Sequence, residues 1–180
     1  QGAKLIGGHT CEARSDSPRP STLGIQIALS INGLVPSGFN SWTKGGLRLG
    51  DELIISRGLG TGVLFAAARA GRCCSQDLDA ALEQLETSQH SLFESLLKIQ
   101  EKNYLPRIIH ACTDITGFGL LGHLEEMLFA SNSKRITADL PLLQIKLQAD
   151  SIPSINGALS LLGAGYSSTI APANRKAWRL

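Results

Sequence analysis

The stretch HACTDITGFGLLGHLEEM, His110 to Met127, sets a single carboxylate, Asp114, among small and apolar residues and follows it with Gly117, Gly119 and Gly122. The spacing Gly117-x-Gly119-x-x-Gly122 is that of the dinucleotide fingerprint, in which glycines let a pyrophosphate approach a helix N-terminus. The context agrees locally: a strand is expected before the glycines, a helix after them, and Asp139 closes the next expected strand, where a ribose-binding acid would stand. Against it, the fingerprint normally starts tight against an apolar strand. Here Thr113-Asp114-Ile115-Thr116 intervenes and puts a carboxylate where a pyrophosphate would come, and two anions repel. A carboxylate beside hydroxyls at a strand end suits instead a hard cation that itself carries phosphates, since Mg²⁺ is commonly held by one or two carboxylates plus substrate oxygens. A third reading is that Asp114 or Thr116 caps the helix by accepting from its first N–H groups. Residue types and spacing alone leave the cap, metal and dinucleotide readings open.

Other residues offer less. GLGTG, Gly58 to Gly62, has the glycine content to cradle a phosphate but lacks the Gly-Lys-Ser/Thr ending of a P-loop, so a packing or turn role fits it better. GGHT, Gly7 to Thr10, joins a tight turn to an imidazole and suits either a ligand contact or a turn at a domain edge. His123 falls in the first turns of the helix after the glycines and reads as structural, while His90 reads as an exposed side chain. The four cysteines show no C-x-x-C pair and no histidine at metal-ligand spacing, and adjacent Cys73 and Cys74 are badly placed to bridge each other. Reduced thiols in a cytoplasm fit that pattern. Cys112 reads as a small buried apolar residue in a strand, with nothing beside it to lower its pKa.

Composition narrows the classes further. With 43% apolar and 18% charged residues, 180 residues suffice for one sizeable core. A net charge of +2, with its lysines and arginines scattered, gives no basic stripe for nucleic acid or an anionic membrane. Apolar runs such as IALSINGLV stop well short of the roughly 18 residues that span a bilayer. No signal peptide is visible, and a leading Gln suggests a chain that begins partway through something larger.

The elements that must position these residues follow from periodicity. A short strand ending at Lys4 to Gly8 and an exposed loop, Glu12 to Ser21, precede a strand from Leu23 to Val35, whose Ile25, Ile27, Leu29 and Ile31 alternate. A Gly50-Asp51 turn, a buried strand Glu52 to Arg57 and a helix Gly62 to Ala70 come next. Leu78, Leu82, Leu85, Leu92, Phe93, Leu96 and Leu97 then predict one long amphipathic helix from Asp77 to Lys102. Arg107 to Thr113 reads as a strand, Gly117 to Ala130 as a helix and Lys134 to Asp139 as a strand. Two shorter helices, Pro141 to Ala149 and Ile155 to Gly163, precede a polar, turn-rich end. Alternating strands and helices argue an α/β or α+β fold with a mixed sheet and packed helices.

The motifs LIGGHTCE, NGLVPSG, LRLGDELIISRGLGTGVLFAAARAG and above all ACTDITGFGLLGHLEEM resemble, in the same order, those of the selenophosphate synthetase (selenide, water dikinase) family. The resemblance covers nearly the whole chain. It implies the superfamily shared with aminoimidazole ribonucleotide synthetase, thiamine-monophosphate kinase and a hydrogenase maturation factor. Such proteins are homodimers with an N-terminal nucleotide-binding half and a C-terminal α/β half that has a ferredoxin-like look. On this basis residues 1–35 are the end of the N-terminal domain with a linker, and 36–180 a C-terminal domain truncated at its end.

The resemblance also implies chemistry. The family converts ATP, selenide and water to selenophosphate, AMP and phosphate with Mg²⁺ and often K⁺. Some relatives are fused to a flavin-dependent oxidoreductase. Asp114 matches the family's metal-binding aspartate, and Gly7, Gly8 and His9 match a stretch that meets nucleotide across the dimer. The family's catalytic Cys or selenocysteine and most of its ATP-binding segments have no counterpart here and are expected upstream of Gln1, so the fragment alone is expected to be inactive. Cys11 is not that nucleophile, and the Glu12 to Ser21 loop is longer than the family pattern. Two alternatives accompany this reading: another kinase or synthetase of the superfamily, or a non-catalytic dimerisation or regulatory module fused to an oxidoreductase.

Overall fold

The computed structural model describes residues 29–35, 41–102 and 108–177, without the side chains of 101, 102 and 177. The chain divides into two compact units, Gln1–Ser41 and Trp42–Leu180. Gly7, Gly8, His9 and Cys11, the first expected strand and the proline-containing loop all lie outside the described residues. Of the expected strand Leu23 to Val35, residues 29–35 are described. They carry no regular secondary structure and leave Leu29, Ile31, Leu34 and Val35 exposed.

In the second unit the described residues form α1 (Thr61–Arg69), α2 (Ser75–Glu86), α3 (His90–Lys102), α4 (Gly119–Thr137), a 3-10 turn (Ala149–Ser151), α5 (Ala158–Gly163) and α6 (Ala171–Ala177). Among the described residues none belongs to a strand, and one isolated parallel bridge joins Leu59 to Ser154. The expected mixed sheet is therefore not displayed there. Residues 52–57 and 108–113 carry no regular secondary structure and form no ladder, and Ile54 is exposed.

The alanine-rich α1 buries Leu64 and Ala67 completely. Leu64 meets Ala81 of α2 and Ile155 and Ala158 beside and within α5, with Cys73 and Leu161 packed around them. The glycines of GLGTG make this approach possible. Gly60 sits at φ 124°, and a Cβ there would lie 2.4 Å from that of Ala158, while one on Gly62 would lie 2.8 Å from that of Ser168. Leu59 N–H donates to the Pro153 carbonyl and Ile155 N–H to that of Leu59, both at 2.9 Å. The packing reading of GLGTG is borne out.

Three expectations are corrected. The long helix Asp77 to Lys102 is two helices, because Thr87 leaves the helical region at ψ 123° and its hydroxyl back-bonds to the Glu83 carbonyl, while the Ser88 hydroxyl accepts the His90 N–H. Hydroxyls here offer the backbone an alternative to the next helical bond. Lys134 to Asp139 is not a strand but the last turn of α4. The turn is closed by Asp139 at φ 52°, with Leu140 N–H bonded to the Arg135 carbonyl in the six-to-one pattern of a left-handed helix stop. Pro141 to Ala149 is not helical: residues 141–148 carry no regular secondary structure. Asn132 holds Leu143 from both sides, its amide donating to the Leu143 carbonyl at 3.1 Å and its own carbonyl accepting the Leu143 N–H at 2.8 Å. Arg135 Nε donates to the Pro141 carbonyl.

The helices Gly62 to Ala70 and Gly117 to Ala130 appear as α1 and α4, and the end of Ile155 to Gly163 as α5. The turn-rich end contains α6. Among the described residues, no helix is long and apolar enough to cross a membrane.

Candidate functional site

The glycine turn lies between a segment without regular secondary structure, residues 108–116, and α4. Cys112 N–H bonds the Thr43 carbonyl at 2.9 Å, which ties the segment before Asp114 to residues ahead of α1. Gly46 permits the approach there: it sits at φ 143°, and a Cβ on it would fall 2.4 Å from the His110 carbonyl oxygen. The N–H groups of Gly46 and Leu47 both donate to the hydroxyl of buried Ser131 on α4 at 3.1 Å, and that hydroxyl donates to the Met127 carbonyl. A helix serine thus anchors the neighbouring loop to α4.

Helix α4 starts after Phe118 with no side-chain cap, so neither Asp114 nor Thr116 caps it. This corrects the capping reading. Thr116 turns the other way: its N–H donates to Nε2 of His123 at 3.0 Å, with its hydroxyl 3.2 Å from the same nitrogen. His123 is 4% exposed, and its Nδ1 lies 3.1 Å from Glu126 Oε2. An Nε2 that accepts a backbone N–H places the ring proton on Nδ1, pointing to Glu126. Glu126 Oε2 also accepts from Lys44 Nζ at 2.6 Å. The Lys44 hydrogen bond, followed by that of His123, holds the Glu126 carboxyl below the usual carboxylate range despite the opposing effect of partial desolvation. The structural reading of His123 stands.

The far side of the turn is tied to α6, where the Asn174 amide donates to the Gly117 carbonyl at 2.8 Å. Gly119 sits at φ 72°, so the backbone itself accounts for that glycine without a dinucleotide, while a Cβ on Gly117 would fall 2.8 Å from the end of the Ile170 side chain. Asp139 closes α4 and does not end a strand, which removes the acid that reading needed.

Asp114 itself is exposed, and among the described residues no hydrogen bond or ion pair reaches its carboxylate. It is a hard oxygen donor left available by a loop that is tied at Cys112, Thr116 and Gly117. Among the described residues no three His, Cys, Asp or Glu side chains stand close enough together to hold a metal ion. The residues present therefore fit Mg²⁺ in kind but supply one ligand, and phosphate oxygens or other protein ligands must complete the shell. Cys112, expected to be buried in a strand, is exposed; partial desolvation and the Asp114 carboxylate hold its thiol above the ordinary value, which does not favour a nucleophile.

Behind the turn, a cavity of about 840 Å³ is lined by Asp51, His110, Thr113, His123 and apolar residues of α4. His110 Nδ1 lies 2.7 Å from Asp51 Oδ1, and Asp51 Oδ2 accepts the Arg48 N–H at 2.8 Å. This pair, Lys44 and Glu126 were not singled out in the sequence; the Gly50-Asp51 turn was the one local signal.

Residues 48–159 match the family described as AIR synthase related protein, C-terminal domain. The chain is 34% identical over 167 residues to the selenide, water dikinase of Caldanaerobacter subterraneus subsp. tengcongensis, covering 91% of this chain and 40% of the relative. It is 34% identical over 142 residues to that of Pelobacter propionicus (78% and 36%) and 30% identical over 178 residues to that of Nitratidesulfovibrio vulgaris (97% and 42%). These relatives are enzymes, and the resemblance read from the motifs is borne out. The chain spans about two fifths of their length. No solved structure gives a significant match. The chain belongs to the AIR synthase related family and carries its C-terminal domain.

Proposed function

We propose that this chain is the C-terminal part of an ATP-dependent selenophosphate synthetase, whose whole protein converts ATP, selenide and water to selenophosphate, AMP and phosphate. The observation that carries this is the run of relatives named selenide, water dikinase, matched over nearly the whole chain. The family match alone would suit another kinase or synthetase of the superfamily; the relatives' names favour selenide.

In this reading Asp114 contributes one carboxylate to Mg²⁺ bound with the nucleotide, and Gly7, Gly8 and His9 meet the nucleotide across a homodimer. When bound, the cation neutralises charge on the transferring phosphoryl group. The chain's own residues hold the carboxylate in place: His123 and Asn174 pin the turn on its two sides, and Lys44 and Glu126 fix the imidazole. K⁺ is a further proposed cation, and the proposed compartment is the cytoplasm. The nucleophile lies in this proposal within the part of the relatives that the match does not cover, so the 180-residue chain alone yields no AMP.

Phosphorus NMR of the full-length protein with Mg-ATP tests this. Selenide should give selenophosphate, phosphate and AMP in equal amounts. ATP left intact, or converted only to ADP, would overturn the assignment.

A further inference from the structure

We infer that His123 is a positioning residue for the Asp114 turn, an inference that rests on the proposed metal role of Asp114. Both ring nitrogens are engaged, Nε2 by the Thr116 N–H and hydroxyl and Nδ1 by Glu126. The imidazole therefore has no lone pair for a metal and no proton for a substrate. What it does is local: it reaches back from the start of α4 and takes a backbone donor two residues after Asp114, a donor that no capping side chain satisfies. Phe118 packs against the ring at 5.8 Å between centroids, and the ring is almost fully buried, so its position is set by packing as well as by its bonds.

The line Lys44, Glu126, His123, Thr116 then acts as one unit. Lys44 keeps Glu126 ionised, Glu126 keeps the proton on Nδ1, and Nδ1–H leaves Nε2 as the acceptor that fixes the turn. Partners that orient a ligand residue commonly change metal affinity by about 10- to 100-fold when removed, without touching the metal. Asp114 presents its carboxylate from a backbone fixed in this way, and a histidine that merely filled the core would leave cation affinity unchanged.

The test uses the full-length protein with ATP present and Mn²⁺ as the probe, its binding followed by water proton relaxation, together with amide exchange of residues 113–118. His123→Leu keeps the bulk and removes the acceptor; His123→Gln returns an acceptor near Nε2. His123→Leu should weaken Mn²⁺ binding about 10-fold and speed exchange of the turn, and His123→Gln should recover most of both. Equal binding by wild type and His123→Leu would overturn the inference, as would equal losses in the Leu and Gln variants. Asp114→Ala serves as the control. If it binds Mn²⁺ as the wild type does, the metal role of Asp114 falls, and the exchange of the turn alone then decides whether His123 holds it.

Discussion

Glu126 shows how a half-exposed side chain shapes a buried neighbour. Its carboxyl is held below the usual range first by Lys44 and then by His123. A carboxyl with a depressed folded pKa contributes stability that is fully present above its unfolded value, about 4.3, and is lost as pH falls through the lower folded value. Thermal melts from pH 7 down to pH 3 should therefore show a shallower acid decline in Glu126→Gln than in the wild type; superimposable curves would contradict the coupling. At this scale the glycine turn before α4 was legible because its spacing is local. The role of His123 was not, since its acceptor function is defined by a residue seven positions back and its support by Lys44, 82 positions from Glu126. Ser131 is a comparable case: its two donors come from 84 and 85 positions away, and a helix serine carries no sign of them.

Among the elements, period identified helices well and their ends poorly. Leu64 and Ala67 mark the buried face of α1, whereas along the apolar stripe of α2 and α3 Leu82, Leu85, Leu92 and Phe93 are exposed and Ala81 is the buried residue of α2. The Thr87-Ser88 pair broke that stripe through hydroxyl bonds that periodicity does not register. The end of α4 depended on Asp139 adopting a left-handed conformation, where glycine is the usual choice. That conformation costs a non-glycine residue about 1 kcal/mol, and a carboxylate at a helix C-terminus is unfavourable to the helix dipole. Asp139→Gly should accordingly raise stability by about 1 kcal/mol, seen as a melting temperature roughly 3 °C higher. A lower melting temperature would show that the Asp139 side chain makes a contribution the backbone argument omits. Lys134 to Asp139 was expected as a strand, yet Asn132 and Arg135 hold the next segment against the helix and favour its continuation.

For the molecule as a whole, ordered motifs proved a stronger guide than periodicity, because a family match draws on many positions at once. The C-terminal domain family was legible in LRLGDELIISRGLGTG and ACTDITGFGLLGHL before any element boundary was accurate. The architecture was less so: helices predominate among the described residues, Lys134 to Asp139 falls at the end of α4, and residues 52–57 and 108–113 form no ladder. The proposed chemistry belongs to a protein of which this chain matches about two fifths. Its most direct test within this chain is selenide-dependent AMP formation by the full-length protein, wild type beside Asp114→Ala, over a range of Mg²⁺ concentrations. The account predicts that the wild type makes AMP and that the variant, folded as judged by its melting temperature, loses at least 100-fold in activity, recovering only in part at high Mg²⁺. A variant as active as the wild type would contradict the metal role of Asp114, and a wild type that makes no AMP with selenide would contradict the selenophosphate assignment itself.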